Sequence, residues 1–257
     1  MRVTVCQLQV DADGREAEWR QLQDHLSAKK SDFLLLPEMP FAPWLASSPD
    51  FDPADWQQAV ASHEEWIGRL DELGVPTVAS TRPINKGARR HNQAYVWQSG
   101  ESLINAHDKY YLPDEDYYWE ASWYQPPNAA RFVACQAGPT VVGFQICTEM
   151  WFMQHAREYG KQGVQLNLVP RATPHESTAK WVAGGQAAAV ISGAYCLSSN
   201  LFALPGAEAN LGGVAFICGP EGDVLATTDA AHPFATLNID LDLADRAKAT
   251  YPRYVID

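Results

Sequence analysis

Continuous apolar runs constrain this chain most. DFLLLPE, PTVVGFQIC, VQLNLVP and AYCLSSNLF are apolar or small almost throughout rather than alternating, and strands that read this way are covered on both faces. RVTVCQLQV, VPTVAST, AYVWQ, GVAFICG and FATLNIDL add further strand-like runs. Between several of them lie helix-length segments of mixed polarity, which predict helices over 13–30, 53–73, 151–162 and 177–192. In the last, Ser177 and Thr178 are candidate caps, while Gly184 and Gly185 weaken the helix from within. The pattern predicts an α/β fold and excludes a simple open antiparallel sheet.

No internal repeat, low-complexity tract or flexible linker divides the sequence, so one domain is expected over 1–257. With 46% hydrophobic and 19% charged residues, nine tryptophans and ten tyrosines, the chain has ample material for a core. A net charge of -12 repels nucleic acid and anionic membranes, which leaves a small molecule as the expected partner. No stretch approaches the roughly eighteen apolar residues of a membrane span, and MRVTVCQLQV lacks a cleavage site, so a cytoplasmic location is expected. Five cysteines without a CxxC pair read as reduced thiols. No metal or organic cofactor is expected, because HExxH-type clusters and Gly-rich phosphate loops are both missing.

Three chemically active residues share one kind of place, the end of an apolar run: Glu38 in FLLLPE, Lys109 in SLINAHDK and Cys147 in VVGFQIC. Carboxyl ends of strands are where α/β folds place ligands. Each residue alone has a plainer reading, as a loop acid, a solvated lysine or a small core thiol. Together they suit nucleophilic catalysis. A cysteine attacks as thiolate and needs either a base to take its proton or a cation to lower its pKa. Glu38 can be the base. Lys109 and the backbone N–H of Thr148 can hold an oxyanion. Competing schemes pair Cys147 with His155 or His175, or build a zinc site from scattered histidines that include His107.

These stretches resemble the nitrilase superfamily of carbon-nitrogen hydrolases, whose members use a Glu-Lys-Cys triad in this chain order. LLLPEMPF is similar to the glutamate motif, HDKYYLPDEDYYWEASWY to the lysine motif, and ICTEMWFMQHAREYGKQGVQLNLVP to the cysteine motif with its helix and next strand. Asn92-Gln93-Ala94, GVAFICG and FATLNIDLDLADRAKATYP follow in the expected order. The resemblance implies an αββα sandwich, two face-to-face sheets with outer helices and four layers per subunit, assembled as a homodimer or higher homo-oligomer. It also implies a second glutamate in the lysine loop. Glu115 and Glu120 compete for that role, and the spacing of YYWEASWY, like that of N-carbamoylputrescine amidase, favours Glu120. Glu149 departs from the aspartate common in amidases and matches many nitrilases.

The expected activity is thiol-dependent hydrolysis of a small linear amide or carbamoyl compound through a Cys147 thioester. A nitrilase passing through a thioimidate and a silent binding relative are the rivals. Tyr117, Tyr118, Trp119, Trp123, Trp151 and Arg171 are candidate pocket residues. Asp114, Glu115, Asp116 and Glu120 crowd the loop expected to overhang the cysteine, which predicts a preference for substrates bearing a distal amine.

Overall fold

A computed structural model describes residues 1–9, 14–204 and 210–256. Twelve strands form two sheets that share an edge. The first sheet runs in the order β5 (Ile104–Asp108), β4 (Arg89–Gln98), β3 (Thr77–Lys86), β2 (Phe33–Leu35), β1 (Arg2–Gln9) and β12 (Phe234–Asn238). The second runs in the order β6 (Cys135–Ala137), β7 (Thr140–Phe144), β8 (Leu166–Arg171), β9 (Tyr195–Phe202), β10 (Phe216–Cys218) and β11 (Val224–Thr227). They meet where Gln7, Leu8 and Gln9 of β1 pair in parallel with Asn200, Leu201 and Phe202 of β9. β1 thus belongs to the first sheet through Arg2 to Cys6 and to the second through its last residues.

Side-chain alternation assigns the layers. On β1 and β2, Val3, Val5, Phe33 and Leu35 face inward and pack with Val142, Phe144, Leu166 and Leu168 of the second sheet. Leu34, Val78, Tyr95 and Trp97 face outward, against Trp19, Leu22 and Leu26 of α1 (Arg15–Lys29) and Trp66 of α2 (Pro53–Ile67). On the far side, α4 (Met153–Lys161) and α5 (Thr178–Ser192) cover the second sheet through Ala156, Trp181, Ala188 and Ala189. This is the αββα sandwich. No described helix is long and apolar enough to cross a membrane.

The predicted helices hold with local changes. Residue 13 lies outside the described residues, and α1 begins at Arg15. The segment 53–73 is two elements: α2 is capped by Asp52, whose carboxylate accepts from Ala54 N at 2.7 Å, and it ends at Gly68. A separate 3-10 turn covers Leu70–Leu73 and closes on Gly74 at φ 63°. Over 151–162 the α-helix starts only at Met153, because Cys147–Trp151 form a tighter 3-10 turn first. The loop after β5 carries one short helix, α3 (Glu120–Trp123).

Candidate active site

The three chain segments converge because each follows a strand of the sandwich. Leu36 N donates to Ala79 O at 2.9 Å, which carries β2 pairing forward to the residues before Glu38. Lys109 directly follows β5, and its N–H donates to Asn92 O of β4 at 2.9 Å. Cys147 opens the 3-10 turn after β7, at φ 48°, in the left-handed region that non-glycine residues rarely occupy. Such a conformation is retained only where surrounding contacts enforce it. Here Ile146 N donates to Glu149 Oε2 at 2.8 Å and Gln145 N to Leu168 O at 2.9 Å, pinning the turn on its strand side.

A fully buried charge cluster joins the pieces. Lys109 Nζ donates to Glu38 Oε1 at 2.7 Å and to both oxygens of Glu120 at 2.7 and 2.6 Å. Asn92 Nδ2 donates a further bond to Glu38 Oε1 at 2.7 Å, and the Tyr124 hydroxyl donates to Glu120 Oε2. Glu38 Oε2, equally buried, has no hydrogen-bond partner among the described residues. One carboxylate oxygen is held by two donors and the other is left open to accept a proton.

Burial and the Glu38 carboxylate push the Cys147 thiol up to about 12, outweighing the Lys109 ammonium. A thiol pushed up in this way holds its proton, so a nucleophilic role for Cys147 calls for a base. Burial pulls Lys109 down, but Glu120, Glu38 and Cys147 more than reverse this and keep the amine charged. Burial raises Glu120 above the usual carboxylate range, with Lys109 opposing it. Of the competing carboxylates, Glu120 is thus the one against the lysine, whereas Glu115 is exposed.

Cys147 opens into a cavity of about 190 Å³ whose lining includes Thr148, Tyr118, Glu120, Trp151 and Trp181, with Glu115 and Lys180 among its exposed residues. Tyr118 and Trp151 thus lie where the sequence placed them, while the other candidates lie elsewhere. Tyr117 is half exposed, and its carbonyl accepts from Trp44 Nε1 at 3.0 Å. Trp119 ties the loop to Ala46 O through its backbone N–H at 2.9 Å. Trp123 is buried, donates to Ser48 O at 2.7 Å, and borders a separate cavity of about 600 Å³. Arg171 is buried beneath the site, donating to Ser198 Oγ at 2.6 Å, Thr173 Oγ1 at 2.7 Å and Val214 O at 2.8 Å, and burial pulls its pKa down to about 10.

The histidines are engaged away from the thiol. His155 stacks on Phe132 at 3.6 Å and shares a 3.0 Å hydrogen bond with Tyr111 OH. His175 is exposed. His107 pairs with Glu149 at 2.8 Å, and Glu149 also accepts from Tyr110 N at 2.7 Å, so this one carboxylate fastens the lysine segment to the cysteine turn. Among the described residues no group of three His, Cys, Asp or Glu side chains is arranged to hold a metal. Sequence reasoning gave no role to Tyr124, Glu149 or Lys180. Tyr124, four residues after Glu120 and therefore one helical turn on, was the one that spacing can find.

Known proteins resemble the chain over most of its length. The carbon-nitrogen hydrolase family matches residues 2–249. The 2-oxoglutaramate amidase of Paenarthrobacter nicotinovorans is 22% identical over 247 residues, spanning 90% of this chain and 80% of that protein. A carbon-nitrogen hydrolase from Helicobacter pylori G27 superposes with a TM-score of 0.86 at 17% identity, over 99% of this chain and 94% of its own. An amidase from Nesterenkonia sp. gives 0.76 at 18% identity, over 95% and 92%. A family match over nearly the whole chain, on the fold its members share, makes this protein an enzyme of the carbon-nitrogen hydrolase family, within the nitrilase superfamily.

Proposed function

We propose that this enzyme is an amidase that cleaves small linear amides or carbamoyl compounds, like the N-carbamoylputrescine amidase type its lysine loop resembles. The observation that carries the reading is the division of labour in Glu38: Oε1 is fixed by Lys109 and Asn92, and Oε2 is buried and open. Glu38 takes the thiol proton as Cys147 Sγ attacks the carbonyl carbon. Lys109, which has turned a donor from Glu120 toward the substrate, and the N–H of Thr148 hold the resulting oxyanion. Glu38 then protonates the departing nitrogen. Ammonia or an amine leaves and a thioester remains. Water gives its proton to Glu38, attacks the thioester and releases the acid, and the proton returns to sulfur.

Glu149 is fully used in joining the two motifs, so its presence in place of aspartate has a structural reason and does not favour nitrile chemistry. The enzyme works as a homodimer or larger assembly in a reducing cytoplasm, which suits its free cysteines. Ammonia release from amides, carbamoyl compounds and nitriles, compared between wild type and Cys147→Ala, tests the reading. Activity on amides that disappears with the thiol is expected. Activity on nitriles alone selects the nitrilase reading, and undiminished activity in Cys147→Ala overturns the mechanism.

A further inference from the structure

Tyr118 presents a chemical imbalance. Its hydroxyl oxygen is buried and has no hydrogen-bond partner among the described residues, although its ring lines the cavity that holds Cys147. A buried phenol without a partner is costly unless something occupies the site in the working enzyme. The oxygen also feels Cys147: burial first, then the neighbouring sulfur, would push the phenol well above its usual range. Tyr118 therefore stays a neutral O–H that can both donate and accept.

The charges along the cavity narrow what that partner is. Asp114 and Asp116 are not among the residues that line it, so the acidic loop contributes Glu115 to the outer lining and Glu120, whose charge Lys109 already engages. Lys180, in the first turn of α5, supplies one positive charge on the same cavity. Together the exposed lining carries one carboxylate and one ammonium. Such a lining balances a group that bears both signs, and it gives a purely cationic end no advantage over a zwitterionic one. The volume, about 190 Å³, lies below the ~300–1,000 Å³ usual for drug-sized ligands and admits only a short chain between the thiol and the mouth.

We infer that Tyr118, Glu115 and Lys180 form a head-group subsite that selects short ω-amides ending in a zwitterionic α-amino acid group. The inference rests on the amidase reading above. Lys180 faces the carboxylate, Glu115 the ammonium, and the Tyr118 hydroxyl bonds the head group in the buried part of the cavity. Specificity then comes from leaving polar groups unpaired when the head group is missing.

Four amides of one chain length test it: L-glutamine, glutaramate, 5-aminopentanamide and pentanamide, each assayed for Cys147-dependent ammonia release. The expected result is a kcat/KM for glutamine at least tenfold above that for pentanamide. Tyr118→Phe should lower the ratio of the glutamine to the pentanamide kcat/KM about tenfold, with the glutamine loss mainly in KM. Lys180→Met should weaken glutamine and glutaramate but not 5-aminopentanamide, and Glu115→Gln the reverse for glutaramate and 5-aminopentanamide. Hydrolysis of all four without preference, or an equal loss on all four in Tyr118→Phe, overturns the subsite and leaves the amidase reading intact. Failure of all four, with a Cys147-dependent nitrile turnover, removes both.

Discussion

At the level of single residues, the cluster around Lys109 couples the proposed chemistry to stability. Lys109→Met removes the ammonium bonded to Glu38 and Glu120, and under the proposed mechanism should cost roughly 10²–10³ in kcat through loss of the oxyanion donor. It also strands two carboxylates in the interior, for which about 3–5 kcal/mol of lost stability is expected, measurable by urea denaturation. Glu120→Gln keeps the shape and one ion pair, so it should lose less stability and still lower kcat. Asn92→Ala isolates the positioning of Glu38: with one of its two tethers gone, kcat should fall about 10–100-fold, with a smaller change in KM, in steady-state kinetics. The Glu38, Lys109 and Cys147 positions were legible because each is a reactive residue closing an apolar run. Asn92 and Tyr124 acquire meaning only through contacts with Glu38 and Glu120, and nothing in the local pattern announces such a contact.

Between elements, the decisive fit is that of α5 on the cysteine turn. A methyl group added to Gly184 would lie 2.7 Å from Met150 Cε and 2.8 Å from Trp151 Cζ3, too close for either side chain to stay where it is. Gly184→Ala should therefore destabilise the fold by about 1–3 kcal/mol despite its better helix propensity, and lower activity by moving Trp151, both read from the same purified variant. Of the two glycines that weaken the helix in the sequence, Gly184 lets it approach the cysteine turn and Gly185 lets it approach Phe216 of β10. A second tie joins β5 to the same turn through His107 and Glu149. Burial lowers the His107 pKa, but the Glu149 carboxylate more than offsets this and raises it above 6.5. The stabilisation is fully present below the ordinary histidine value and is lost as pH rises through the raised one. The stability gap between wild type and His107→Gln should accordingly be wider at pH 6 than at pH 9. Periodicity showed that these elements exist. It was silent on the split of 53–73 and on the 3-10 start at Cys147, because a glycine and a left-handed residue decide those boundaries locally.

For the whole molecule, the aromatic and aliphatic end segment remains uncovered: Tyr251 is 73%, Tyr254 61% and Ile256 95% exposed. Trp151 is partly exposed, whereas Tyr159 on α4 is buried and bonded to Phe144 within the subunit. Association through the end segment is expected to give a dimer or larger species by sedimentation at micromolar concentration, and Tyr254→Asp with Ile256→Asp should shift it toward monomer. The sandwich class was readable from runs too apolar for one-sided burial. The seam was not, because it depends on a register between Gln7 and Asn200, separated by most of the chain. That seam has a consequence for the order of events during synthesis. β1 is made before the other described strands, yet β9 and β12, which pair with it, are among the last of them. The sheets cannot join until residue 202 has emerged, and the edge of β1 that β12 covers stays open until residue 238 has, so the nascent chain must travel with apolar surface uncovered and depend on chaperones more than a locally wired fold of equal length. Chains stalled before residue 234 should remain sensitive to protease, and those that extend past residue 238 should become resistant in a single step.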